Sequence, residues 1–145
     1  VAGWGAPAYE AQIARRCAGC KRVRFAGALH GAEKVAAYEN AEFFLLPSVS
    51  EGLPMAALEA LSHGAIPILT DSCHLPNLFS ADVALRLDES LADFARVLSR
   101  IEAMSEAEKL ERSSRARLAA RQYLWPDIAR SMLDHYARII EEARP

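Results

Sequence analysis

The stretch "EFFLLPSVSEGLPMAALEALSHGAIPILT", residues 42–70, sets two short apolar runs on either side of a loop and one helix-length segment. The runs "EFFLLP" (42–47) and "IPILT" (66–70) carry no polar alternation, which is the pattern of strands buried on both faces, as in a parallel sheet covered by helices. Between them Leu53, Ala56, Ala57 and Leu61 recur at three or four residues, so this segment reads as a helix starting near Gly52. Glu51 stands at its start and Glu59 lies eight residues further on.

The same alternation extends outward. "VRF" (23–25) and "DVALRL" (82–87) read as further strands, and Tyr9, Ile13 and Cys17 to Cys20, then Val35, Tyr38 and Ala41, mark helices between them. Residues 1–88 therefore read as β-α-β-α units, and the architecture expected is α/β: a doubly wound, Rossmann-like parallel sheet with right-handed crossovers. Ligands of such sheets bind beyond the carboxyl ends of the strands.

From residue 89 to 145 strands give way to three helical segments. Ser90 and Ser105 are candidate N-caps, the second with Glu108 at capping-box spacing, and Pro126 and Asp127 open the last helix. Leu91, Phe94, Val97, Leu98 and Ile101, and then Ile128, Met132, Tyr136 and Ile139, form stripes spaced for packing on the sheet. Glu141 and Glu142 interrupt the basic face that a membrane-surface helix would need. The charged residues of 102–121 read as a solvated face with pairs at four-residue spacing.

The 145 residues, 52% hydrophobic and 25% charged, suit one globular domain. A formal charge of -2 supplies no basic field for nucleic acid. No apolar run approaches the roughly 20 residues of a spanning helix, so direct membrane insertion is not expected. Three cysteines give no disulfide framework and favour a reducing, cytoplasmic setting. Cys17 and Cys20, with Cys73 and His74, would make four zinc ligands, but there is no second paired motif; buried thiols and no metal are expected.

The chemistry gathers at the opening stretch. A helix beginning at Gly52 would turn unpaired N–H groups toward an anion, and the glycine would let a ligand approach the backbone. Glu51 alone reads as a cap for the helix dipole, and Glu59 alone as one more solvated glutamate. Eight residues is about 80° round the axis and about 12 Å along it, so Glu59 borders the apolar stripe. A carboxylate can accept from both vicinal hydroxyls of a ribose. Phosphate at the helix start, ribose at Glu59 and a polar group near Glu51 would together describe a nucleoside diphosphate joined to a sugar.

"PSVSEGLPMAALEALSHGAIPILT" also resembles the signature of the retaining glycosyltransferases with the GT-B fold, which carry a Glu-x7-Glu motif ahead of a G-x-I-P turn and a strand. "VAGWG" is similar to a strand and glycine loop early in that family's C-terminal domain, "VRFAGAL" to its next strand and base-binding loop, and "YLWPDIARSMLDHY" to its Trp-containing terminal helix. The resemblance implies that Glu51 takes the catalytic position beside the donor hexose. Gly52, Leu53, Pro54 and Met55 then meet sugar hydroxyls and phosphate, Glu59 holds the ribose, and Ala28 and Leu29 meet the base. It further implies a donor of UDP or GDP type, no cofactor or metal, and a saccharide or lipid-linked acceptor, as in polysaccharide biosynthesis. The acceptor would be held by an N-terminal domain preceding Val1, which could also make peripheral contact with the inner membrane face. The family's first strand, with its diphosphate-binding Arg and Lys, would precede Val1 too, so residues 1–145 alone are expected to be inactive. His30 reads as a surface-loop histidine and Lys34 as a helix-surface lysine. In "TDSCHLPNLFS", His74 and Asn77 replace the Asn and Glu of a C-N-x-P-E variant. The competing reading is a non-catalytic Rossmann-like nucleotide-binding or structural module.

Overall fold

A computed structural model describes residues 1–143, which divide into one compact unit of Val1–Ala37 and a second beginning at Tyr38. In the first, α1 (Pro7–Ala18) opens on a proline, and Glu10 in its first turn with Arg15 and Arg16 in its last match the helix dipole at both ends. The strand expected at 23–25 is reduced to one parallel bridge, Ala2 with Gly27. The bonds around it are Ala26 N–H to the Val1 carbonyl (2.8 Å) and Gly3 N–H to the Gly27 carbonyl (2.9 Å). α2 (Gly31–Glu39) follows.

In the second unit β1 (Phe43–Leu46), α3 (Met55–Ser62) and β2 (Ile66–Leu69) realise the opening stretch. After them come α4 (Pro76–Ser80), β3 (Leu85–Arg86), α5 (Phe94–Glu102), α6 (Glu106–Ala120), a 3-10 turn (Arg121–Tyr123) and α7 (Trp125–Glu142). The three strands are parallel in the order β1-β2-β3, with Phe43 opposite Ile66 and Ile68 opposite Leu85. Successive residues of the fully buried β2 serve different cores, as period two requires. Leu69 packs with Ala57, Leu58 and Leu61 of α3 and Ala116 and Ala120 of α6. Ile68 packs with Leu85, Leu87 and Val97, flanked by Phe94 and Ile101 of α5. Helices therefore cover both faces of an α/β, Rossmann-like parallel sheet.

Several boundaries differ from expectation for identifiable reasons. α3 starts at Met55 rather than near Gly52, because Pro54 precedes it as N-cap with φ -76° and ψ 83°. The Pro54 carbonyl accepts the first helical bonds, from Ala57 (2.9 Å) and Leu58 (3.2 Å). The helix is covered by α6 as well as by the sheet, so Leu58 and Ala60 are buried beside Ala57 and Leu61, while Leu53 and Ala56 are exposed. Past its end, Gly64 takes φ +84°, and a Cβ there would fall 2.6 Å from Arg117 Nε and Ser113 Oγ, so glycine is needed both for the turn and for the approach of α6. The strand expected over 82–87 shortens because the amides of Val83 and Ala84 are still bonded to the Leu78 carbonyl, at 2.9 and 3.0 Å.

Ser105 caps α6, its hydroxyl accepting from Glu108 N–H at 3.2 Å. Ser90 does not cap α5: its hydroxyl donates to Asp88 Oδ1 and accepts from Ala92 N–H at 3.3 Å, while α5 begins four residues later, at Phe94. Val97, Phe94 and Ile101 pack as expected, whereas Leu91 and Leu98 stay exposed. The stripe of α7 does not reach the core. Met132, Tyr136 and Ile139 are 47%, 53% and 49% exposed, and no residue of α7 is buried. The face at 102–121 is also not wholly solvated. Glu111 and Arg115 pair at 2.9 Å as expected, but Arg112 is buried.

Candidate functional site

The loop between β1 and α3 leaves the carboxyl end of the sheet and is tied down by the turn that follows β2. The buried Thr70 hydroxyl donates to the Ser48 carbonyl. Ser48 Oγ donates to Glu51 Oε1 at 2.6 Å. Both peptide groups of Glu51 are also gripped, its N–H by the Ser72 carbonyl at 3.1 Å and its carbonyl by His74 Nδ1 at 2.9 Å. The second contact assigns the Nδ1 proton to His74, which sits in the left-handed region at φ 54°. A half-buried carboxylate is thereby held on a fixed loop.

Past it, the amides of Gly52, Leu53, Met55 and Ala56 have no acceptor among the described residues, and Pro54 is buried and lacks an N–H. Gly52 borders open space, with nothing within 4 Å of where a Cβ would stand. Unpaired, exposed donors at the start of an α-helix suit an anion, and the helix starts three residues later than the sequence suggests.

Glu59 lies half-buried in the second turn of α3 and accepts from the Tyr38 hydroxyl, Oη to Oε2, at 3.1 Å. The phenol pKa is pushed up to about 12, first by burial and then by the hydrogen bond to and charge of Glu59, so Tyr38 is a firm donor at neutral pH. Ala28, exposed, and Leu29, half-buried, belong to the first unit and follow the Ala2–Gly27 bridge; exposed His30 comes next.

His74 and Asn77 are both used within the chain. His74 serves the Glu51 carbonyl, and the Asn77 amide meets the Tyr123 hydroxyl at 2.9 Å. Cys73 is buried, its sulfur 3.7 Å from both Thr70 Oγ1 and the Leu46 carbonyl. Among the described residues no group of three or more His, Cys, Asp or Glu could hold a metal ion. A cavity of about 240 Å³ opens at the other end of the strands, lined by Glu39, Glu42, His63, Gly64, Lys109 and Arg117, among others. Lys109 is already shared there by Glu42 (3.2 Å) and Glu106 (2.9 Å).

With the geometry in place, comparison supplies the class. The chain belongs to the group 1 glycosyl transferases, whose family model matches residues 1–103, ending as α5 ends. It is similar to the serotype-specific mannosyltransferase WbdA of Escherichia coli, 24% identical over 120 residues that cover 83% of this chain and 15% of the relative. A second WbdA of Escherichia coli is 23% identical with the same coverage. The chain thus spans about 15% of the length of the curated relatives it matches.

Tyr38, Ser48, Ser72 and Thr70 did not stand out in the sequence as parts of this site. Only Ser48 left a local signal, the Ser-x-x-Glu spacing to Glu51; the others act across the chain.

Proposed function

We propose that this chain is the donor-binding half of a retaining, metal-independent GT-B glycosyltransferase. It would move a hexose from a UDP- or GDP-type sugar to a saccharide or lipid-linked acceptor. The observation that carries the reading is the row of unpaired amides at the start of α3 with Glu51 on one side and Glu59 on the other. In this reading the amides and helix dipole stabilise charge growing on the leaving diphosphate, Glu51 orients the hexose and Glu59 holds the ribose hydroxyls. Similarity to proteins named as mannosyltransferases supports a hexose and makes mannose the first sugar to test. No helix among the described residues is long and apolar enough to cross a membrane. A cytoplasmic enzyme with peripheral contact made elsewhere in the polypeptide agrees with that.

The test is a thermal-shift and calorimetry panel of UDP, GDP and ADP and their hexose conjugates, GDP-mannose included, on the full-length protein. One nucleotide should stabilise it, and Glu59→Ala should weaken that nucleotide by about tenfold or more, as expected for a lost hydrogen bond to a charged group. Insensitivity across the panel would favour the non-catalytic module.

Residues 1–145 alone should transfer no sugar. A helix terminus contributes about 0.3–2 kcal/mol, against the roughly 8 kcal/mol or more by which enzymes lower barriers. Arg86, at the carboxyl end of β3, is already paired with Asp71 at 2.8 Å. Measurable transfer by this segment would contradict the division of labour between the halves.

A further inference from the structure

Tyr38 is built in from both sides. Its ring meets Phe44 of β1 edge-on, centroids 5.9 Å apart at 69°, and stacks on His63 at 6.0 Å and 20°. Both neighbours are themselves anchored. Phe44 packs against the core formed by α3, α6 and β2. His63 ends α3, its amide bonded to the carbonyls of Ala60 (3.1 Å) and Glu59 (3.3 Å). A tyrosine fixed in this way delivers its hydroxyl to one place, and that place is Glu59 Oε2.

A glutamate side chain has several rotatable bonds, and a donor that fixes one of its oxygens beforehand lowers the rotamer freedom a ligand must remove. An ionised carboxylate accepts along about four lone-pair directions, so one donated bond sets its plane and leaves capacity for more. We infer that Tyr38 is a positioning residue: it holds the Glu59 carboxylate in the orientation that accepts the vicinal hydroxyls of a ribose, and so sets the preference for ribonucleotide over deoxyribonucleotide donors. This rests on the ribose role proposed for Glu59. A purely structural Tyr38 would leave discrimination between sugars untouched, and that difference makes the inference testable.

The experiment uses the full-length protein and the nucleoside diphosphate that stabilises it, alongside its 2′-deoxy and 3′-deoxy counterparts. Affinities are measured by calorimetry for wild type, Tyr38→Phe and Glu59→Gln. The phenylalanine keeps both ring contacts and removes only the donor. Wild type should prefer the ribonucleotide; Tyr38→Phe should lose about three- to tenfold of that preference, the effect of one hydrogen bond, mostly through weaker ribonucleotide binding. The preference is a ratio of two affinities on one preparation, so partial unfolding of the variant scales both equally and cancels. An unchanged ratio in Tyr38→Phe with a collapsed ratio in Glu59→Gln overturns the role of Tyr38 alone. An unchanged ratio in Glu59→Gln overturns the ribose reading beneath it.

Discussion

Glu51→Ala in the full-length enzyme is expected to lower turnover by about 10²–10³-fold, the range seen when one preorganised polar group is removed from a reacting centre. Its melting temperature should barely change. The turn at 72–74 holds residue 51 through its backbone, N–H to Ser72 and carbonyl to His74, and neither bond involves the carboxylate. Alanine therefore keeps the loop and deletes only the charged group, leaving Ser48 Oγ, half-buried, to find water instead. Glu51→Gln separates charge from placement, because the amide oxygen can still accept from Ser48. If the negative charge matters, Gln should resemble Ala; if only orientation of the hexose matters, Gln should keep much of the activity. Because the donor is also held at the amides of α3 and at Glu59 in the proposed complex, KM for the donor should change less than kcat. Wild-type turnover in both variants would remove Glu51 from the chemistry.

How much of this was legible in the sequence depended on whether the deciding partner lay nearby in the chain. The strand at 66–69 could be read because burial on both faces leaves its mark on every residue of the run, whereas the strand at 43–46 shows the same apolar run although its residues are only half-buried and Leu45 is exposed. The candidate donor loop could be read because Glu51, Gly52 and Glu59 occupy one loop and one helix. Ser105 and Ser90 show where local signals part company. Ser105 had Glu108 at the right spacing and caps α6, while the Ser90 hydroxyl is engaged in the turn before α5, with the Asp88 carboxylate and the Ala92 amide. The helix start slipped by three residues because Pro54, in the middle of the apolar pattern, outweighed the periodicity. What could not be read were contacts across 21 to 23 residues: Tyr38 to Glu59, Thr70 to Ser48, His74 to Glu51. Nor does a periodic stripe say whether anything lies opposite it. The stripes of α5 and α7 look alike in sequence, yet one packs on the sheet and the other faces outward.

Asp82→Ala should cost about 2–3 kcal/mol, the loss of charge-assisted hydrogen bonds to a buried arginine, and less than the loss of a wholly buried ion pair because the Asp82 side chain is 55% exposed. Arg112 on α6 is only 3% exposed. Its guanidinium reaches Asp82 in a forked arrangement, Nη1 to Oδ1 at 3.1 Å and Nη2 to Oδ2 at 2.9 Å, with Nη1 also donating to the Asp82 carbonyl at 2.8 Å. Glu108 stands 3.5 Å from Nε and offsets part of the loss. Against that, Asp82 has φ 52°, a left-handed conformation that aspartate and asparagine tolerate and alanine resists by about 1–2 kcal/mol. Asp82→Asn should therefore cost distinctly less than Asp82→Ala, since it keeps the backbone preference and one acceptor. Pairing Asp82→Ala with Arg112→Met should recover much of the stability by removing the stranded charge. Denaturant melts of the four proteins would decide the matter; equal midpoints for wild type and Asp82→Ala would mean the ion pair contributes nothing. The consequence for function follows from packing. Ala116 and Ala120 of α6 share a core with Ala57, Leu58 and Leu61 of α3, the helix that carries Glu59. Loosening α6 at Arg112 should thus weaken donor binding in step with stability, whereas Glu51→Ala should lower turnover in a protein that melts like wild type.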